Sequence, residues 1–77
     1  MNKQEFCINL GNRIRKERIK KKLTREMLAH LANINPRALA DIEFGLKCPL
    51  SFTMYNIACT LDVSIDLLTG KESDENL

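Results

Sequence analysis

The chain has no tryptophan, three phenylalanines and one tyrosine, three glycines, two prolines and one histidine in 77 residues. With so few aromatics, a core has to be assembled from Leu, Ile and Ala, which suits packed helices better than strands. Three scattered glycines exclude a Gly-rich phosphate loop. The lone His30 has no Cys or carboxylate cluster to join, so it reads as a surface helix residue and no metal site is expected. Cys7, Cys48 and Cys59 are odd in number, far apart and free of C-x-x-C spacing. Disulfide frameworks and zinc sites need paired, clustered ligands, so the expectation is three reduced thiols acting as small apolar side chains. No apolar run approaches the roughly 20 residues that cross a bilayer. The opening MNKQEFCINLGNRIRK lacks a secretory apolar stretch, which makes a cytoplasmic location the expectation. One histidine, no nucleophile–base arrangement and little room for a pocket argue against an enzyme. No cofactor or small-molecule ligand is implied.

What remains is an ordinary globular composition, 44% hydrophobic and 29% charged. A chain of this length buries only about 60% of its unfolded surface, which leaves a single small core and no separate ligand-binding domain. The net charge of +2 conceals an asymmetry. Residues 1–25 carry nine basic side chains against Glu5 and Glu17, a net +7, whereas residues 26–77 carry −5. A basic half of this kind fits a polyanionic partner, although a solvated basic helix looks the same.

Hydrophobic spacing divides the chain into five helices. Phe6, Leu10 and Ile14 recur on one face of a first helix over 5–21, and Gly11 within it suggests close packing. Thr24 is an N-cap for a helix over 25–32, with Leu28, Leu31 and Ala32 as its buried stripe. Asn33 suits a left-handed helix end, Asn35 caps the next helix, and Pro36 fits its first position. A third helix over 36–44 stops at Gly45; Leu39 and Ile42 face inward, and Arg37, Ala40, Asp41 and Phe44 lie opposite. A fourth helix covers 51–61, with Met54, Ile57, Ala58 and Leu61 inward. Ser64 caps a fifth over 65–69 that Gly70 ends. Residues 1–70 form one domain in this reading, and 71–77 a frayed acidic tail. The turn of about three residues between the second and third helices is that of a helix-turn-helix over 25–44.

The stretch RIRKERIKKKLTREMLAHLANINPRALADIEFG, followed by IACTLDVSIDLL, resembles the lambda-repressor-like family of Cro- and XRE-type helix-turn-helix regulators. The segment LAHLANI is similar to small controller proteins of restriction–modification systems. The resemblance implies an all-α, five-helix domain that binds double-stranded DNA, with helix 36–44 in the major groove and helix 25–32 crossing the backbone. It places Thr24, Arg25 and Lys47 at phosphate contacts. Asn35, Arg37, Ala38, Ala40 and Asp41 fall at base or backbone contacts, and Arg18 and Glu43 at a partly buried ion pair that fixes the recognition helix. Arg37 can pair bidentately with guanine. Asp41 departs from the family's basic or amide residue, and would need a cytosine amino group or Arg37, one turn away, as partner. Phe44 replaces a polar residue without an evident reason.

A small transcriptional regulator, with repression the expected sense, best joins motif, charge and size. The alternative is a protein-interaction module on the same fold, antitoxin-like or a phage accessory protein, using Phe44 and Asp41. With so few base-reading groups per helix, a homodimer is expected. Its apolar patch would be Val63, Ile65 and Leu67, extended by Phe52 and Tyr55.

Overall fold

Most helix starts are set by a side chain that the sequence supplies. In the computed structural model, which describes residues 1–71, Asn2 and Glu5 form a reciprocal capping box at the head of α1 (Lys3–Lys20). Asn2 Oδ1 accepts from Glu5 N at 2.8 Å, and Asn2 N donates back to Glu5 Oε1 at 3.1 Å. This box, which satisfies two otherwise orphaned donors, starts the helix two residues before the position expected from its apolar spacing. Thr24 Oγ1 accepts from Met27 N to open α2 (Arg25–Leu31). Asn35 Oδ1 accepts from Arg37 N at 2.7 Å to open α3 (Pro36–Glu43), with Pro36 in its first turn. α4 (Ser51–Leu61) lacks a side-chain cap. Ser64 Oγ accepts from Leu67 N to start α5 (Ile65–Thr69), and Gly70 ends it at φ 90°.

Asn33, between α2 and α3, has φ 59°, the left-handed conformation that a short amide side chain tolerates. The turn it makes lets Ile34 N donate to Ala29 O at 2.9 Å and sends α3 off at a new angle. The core draws on every helix: Leu10 and Ile14, Leu28 and Ala29, Leu39 and Ile42, Ile57 and Leu61, and Leu68. Phe6, Ile34, Met54 and Val63 pack against it, partly covered. Leu31 departs from expectation, being 59% exposed. At 100° per residue, the inward face of α2 is centred between Leu28, Ala32 and Ala29, and Leu31 falls well to one side of it.

α1 runs against α3 at a point where only glycine fits. A β-carbon on Gly11 would lie 2.7 Å from the Glu43 carbonyl oxygen and closer still to that of Ile42. One turn earlier, Gly45 crosses Ile8 at φ +76°, and a β-carbon there would lie 2.9 Å from Ile8 Cα. The end of α3 and the loop after it therefore lie directly on α1.

The same approach overturns the expectation of three reduced thiols. Cys7 and Cys48 form a disulfide, with Cα atoms 5.2 Å apart across 41 positions of sequence. Cys59 is the free, exposed thiol. No local spacing signals this pair, because it is created by the packing of the 44–50 loop over the first half of α1. Of the acidic tail expected at 71–77, residues 72–77 lie outside the described residues; Lys71 N donates to Asp66 O at 2.8 Å.

Closing a loop of this length lowers the entropy of the unfolded chain by an amount worth about 4 kcal/mol. The double variant Cys7→Ser/Cys48→Ser is expected to lose about 2–4 kcal/mol in urea unfolding. Dithiothreitol should lower the wild-type midpoint and leave the double variant unmoved; a wild-type midpoint insensitive to reductant would contradict the bridge.

Candidate nucleic-acid interface

The base of the interface is a carboxylate taken out of water and met by two arginines. Glu43, on the last turn of α3, has a side chain 0% exposed. Its Oε2 accepts from Arg18 Nε at 2.7 Å, and its Oε1 from Arg18 Nη2 at 3.1 Å. Arg18 also donates from Nη1 to the Leu23 carbonyl at 2.9 Å, which ties the α1–α2 connection into the same group. The two-pronged contact between a planar guanidinium and a carboxylate is short and directional. Arg25, at the first turn of α2, adds a third contact from Nε to Glu43 Oε1 at 3.2 Å. One carboxylate thus joins α1, α2 and α3, and the trio carries a net charge of +1.

A buried ion pair is not by itself a source of stability, because desolvation offsets most of the attraction. What this one supplies is orientation. The end of α3 is pinned to α1 at Gly11 by backbone contact and, two turns on, at Arg18 by the ion pair. The two points lie roughly 10 Å apart along α1 and both hold the last residues of α3, Ile42 and Glu43, so they fix where that helix ends.

The outward face of α3 is sparsely furnished. Asn35, Arg37 and Ala38 are exposed, while Ala40 and Asp41 are half-buried. Among the described residues the guanidinium of Arg37 has no hydrogen-bond or ion-pair partner, so all its donors are open to a ligand. Asp41 does not pair with Arg37 as one expectation had it; its Oδ2 lies 3.9 Å from Lys47 Nζ. The loop after α3 folds back so that Leu46 N and Lys47 N both donate to the Asp41 carbonyl, which brings Lys47 to the carboxylate. Lys47 remains exposed. Thr24 is exposed at the head of α2 with its hydroxyl already used as a cap.

Two side-chain contacts at this site are not legible in the sequence. Arg25 was placed at a phosphate position, but its bond to Glu43 was not foreseen. Phe44 had no assigned partner; in the structure its ring lies under the Arg25 guanidinium, 5.1 Å from Cζ to the ring centroid. The signal present in the sequence was the adjacency of an acid and an aromatic at the end of a helix, which only the fold relates to Arg25.

The apolar group assigned to self-association is only partly assembled. Val63 and Ile65 line one shallow depression with Tyr55 and Cys59. Ile65 and Tyr55 are exposed, Phe52 is more so, and Leu67 is half-buried. A hydrogen bond with Cys59 raises the Tyr55 hydroxyl above its ordinary pKa.

Comparison with known proteins follows the same lines. A helix-turn-helix family model matches residues 14–68. The immunity repressor protein of Bacillus phage phi105 is 33% identical over 66 residues, covering 86% of this chain and 46% of its own length. The chain thus spans about half of that curated relative. Among solved structures, the restriction-modification controller protein C.AhdI from Aeromonas hydrophila superposes with a TM-score of 0.78 at 26% identity. That match covers 80% of this chain and 94% of the controller. An HTH_3 family transcriptional regulator from Vibrio cholerae shares the fold, with a TM-score of 0.83 at 22% identity over 92% of this chain and 40% of its own.

Removing the Glu43 carboxylate strands Arg18, which is 8% exposed, as an uncompensated buried charge. Glu43→Ala is expected to cost about 3–5 kcal/mol, a large share of the stability of so small a domain. Thermal melting monitored by circular dichroism reads this directly; an unchanged melt would show that the carboxylate holds nothing together.

Proposed function

Since this chain belongs to the helix-turn-helix family, we propose that it is a transcriptional regulator that binds double-stranded DNA through α2 and α3, with repression as its sense. The observation that carries this reading is the guanidinium of Arg37, unpartnered among the described residues, on the outward face of a helix whose end is clamped from behind. α3 enters the major groove, where Arg37 pairs with guanine and Ala38 or Ala40 meets a thymine methyl. Arg25 and Lys47 take phosphates on either side, and the backbone at Thr24 and Asn35 adds donors at the helix starts. The phage relative's description as an immunity repressor supports the sense of regulation.

The role is binding without catalysis, and the location is the cytoplasm, where the DNA of a bacterial or phage regulator lies. Among the described residues no helix is long and apolar enough to cross a membrane. A protein-interaction module relying on Phe44 and Asp41 is less well supported, because both side chains are already engaged, with Arg25 and Lys47. One α3 carries few base-reading groups, so two copies act together, placing recognition helices about 34 Å apart. Val63, Ile65 and Leu67, with Phe52 and Tyr55 beside them, are the surface proposed for that pairing.

Titration of a fluorescent duplex of arbitrary sequence at several salt concentrations tests the reading. A dimer meeting about 6–10 phosphates should lose roughly 10³–10⁵ in affinity between 50 and 200 mM salt. Binding that ignores salt, or no binding at low salt, contradicts it. Sedimentation equilibrium at micromolar protein decides whether the 8.8 kDa chain is paired.

A further inference from the structure

We propose that Phe44 is a positioning residue, which holds the guanidinium of Arg25 so that a DNA phosphate can be met at the start of α2. The inference rests on the DNA-binding reading above and adds to it a residue whose side chain has no hydrogen-bonding group to offer.

Phe44 caps α3 and is 60% exposed, so its ring contributes little to the core. A large apolar side chain left in water at that position needs another reason, and the Arg25 guanidinium is there, 5.1 Å from the ring centre. The negative face of an aromatic ring's quadrupole attracts a cation placed over it, and a weakly hydrated, planar guanidinium stacks there more readily than an ammonium. Arg25 is held twice by consecutive residues: Glu43 takes its Nε–H, and Phe44 supports its flat face. Among the described residues, the four N–H donors on its terminal nitrogens have no partner.

Its charge is also uncompensated. Glu43 is already met by both prongs of Arg18, so the trio retains one positive charge, and Arg25 is its more exposed member. An arginine free in water would have to be ordered each time it met a phosphate. Here that cost is removed beforehand, which is how preorganisation raises affinity without a new contact. Because Glu43 and Phe44 end α3 while Arg25 begins α2, the phosphate contact of one helix is set by the end of the other. The backbone grip and the base-reading face then share one register.

The test uses the full chain with its disulfide intact, a duplex of arbitrary sequence titrated at several salt concentrations, and four variants. Phe44→Leu keeps an apolar side chain and removes the ring; it is expected to bind about 2–5-fold more weakly per protomer. The slope of log affinity against log salt should fall toward that of Arg25→Ala, by up to about 0.9 per phosphate lost. Phe44→Trp should retain wild-type affinity and slope. In Arg25→Ala, adding Phe44→Leu should change nothing further, and Phe44→Leu should melt only a few degrees below wild type. A second readout needs no DNA: the ring displaces the Arg25 Nε–H resonance, and Phe44→Leu should return it toward the position of an unstacked arginine. Equal binding and equal slope for Phe44→Leu would overturn the proposal, as would an equal loss in the Arg25→Ala background or an unmoved Nε–H resonance. Failure of the wild type to bind any duplex would instead overturn the DNA-binding reading, and with it the phosphate role given to Arg25.

Discussion

The placement of a single buried carboxylate governs the geometry of this domain. Glu43 receives hydrogen bonds from α1 through Arg18 and from α2 through Arg25, and it is itself the last residue of α3. Short helices such as α2 and α3 have little intrinsic stability. Their mutual angle comes from packing and from directional contacts at their ends. An apolar contact in place of Glu43 would bury as much surface and leave the helices freer to rotate, since the hydrophobic effect has no preferred direction. The ion pair, with Gly11 and the Cys7–Cys48 bridge, fastens the end of α3 and its following loop to one side of α1.

Under the DNA-binding proposal, that fastening bears on how few polar groups the outward face of α3 carries. An interface with a rigid frame can work with few readers, because each group arrives already oriented and the ordering cost of binding is small. Arg37 is exposed and, among the described residues, unpaired; Arg25 is held between a carboxylate and a ring, and Lys47 stays exposed beside Asp41. The exposed Lys3, Arg15, Lys16 and Lys20 of α1 would add, under the DNA-binding proposal, a general attraction for polyanions without selecting among them.

Much of this was legible in the sequence because it is local. The caps at Thr24, Asn35 and Ser64, the left-handed Asn33 and the stop at Gly70 depend on chemistry within four residues, and each stands where expected. The inward positions of α1, α3 and α4 followed from a 3.6-residue period. Leu31 misled because α2 is only two turns long, so a stripe of three apolar residues can be centred in more than one way. The Asn2–Glu5 box was within reach of the same reasoning, but polar residues ahead of the first apolar position hid it. The disulfide, the Arg25–Glu43 bond and the Phe44 stack join residues 18 to 41 positions apart. No periodicity records such pairs; they exist only once the end of α3 and its following loop lie against α1 and α2.

Whether the clamped helix reads sequence is decided most directly by comparing wild type with Arg37→Ala on duplexes selected from a random pool by the wild-type protein. Arg37→Ala should lose about 1–3 kcal/mol on the preferred duplex and should no longer discriminate at a single base pair per half-site, while its binding to unselected DNA changes little. An equal loss on every duplex would contradict base reading by α3 and reduce Arg37 to one more phosphate contact.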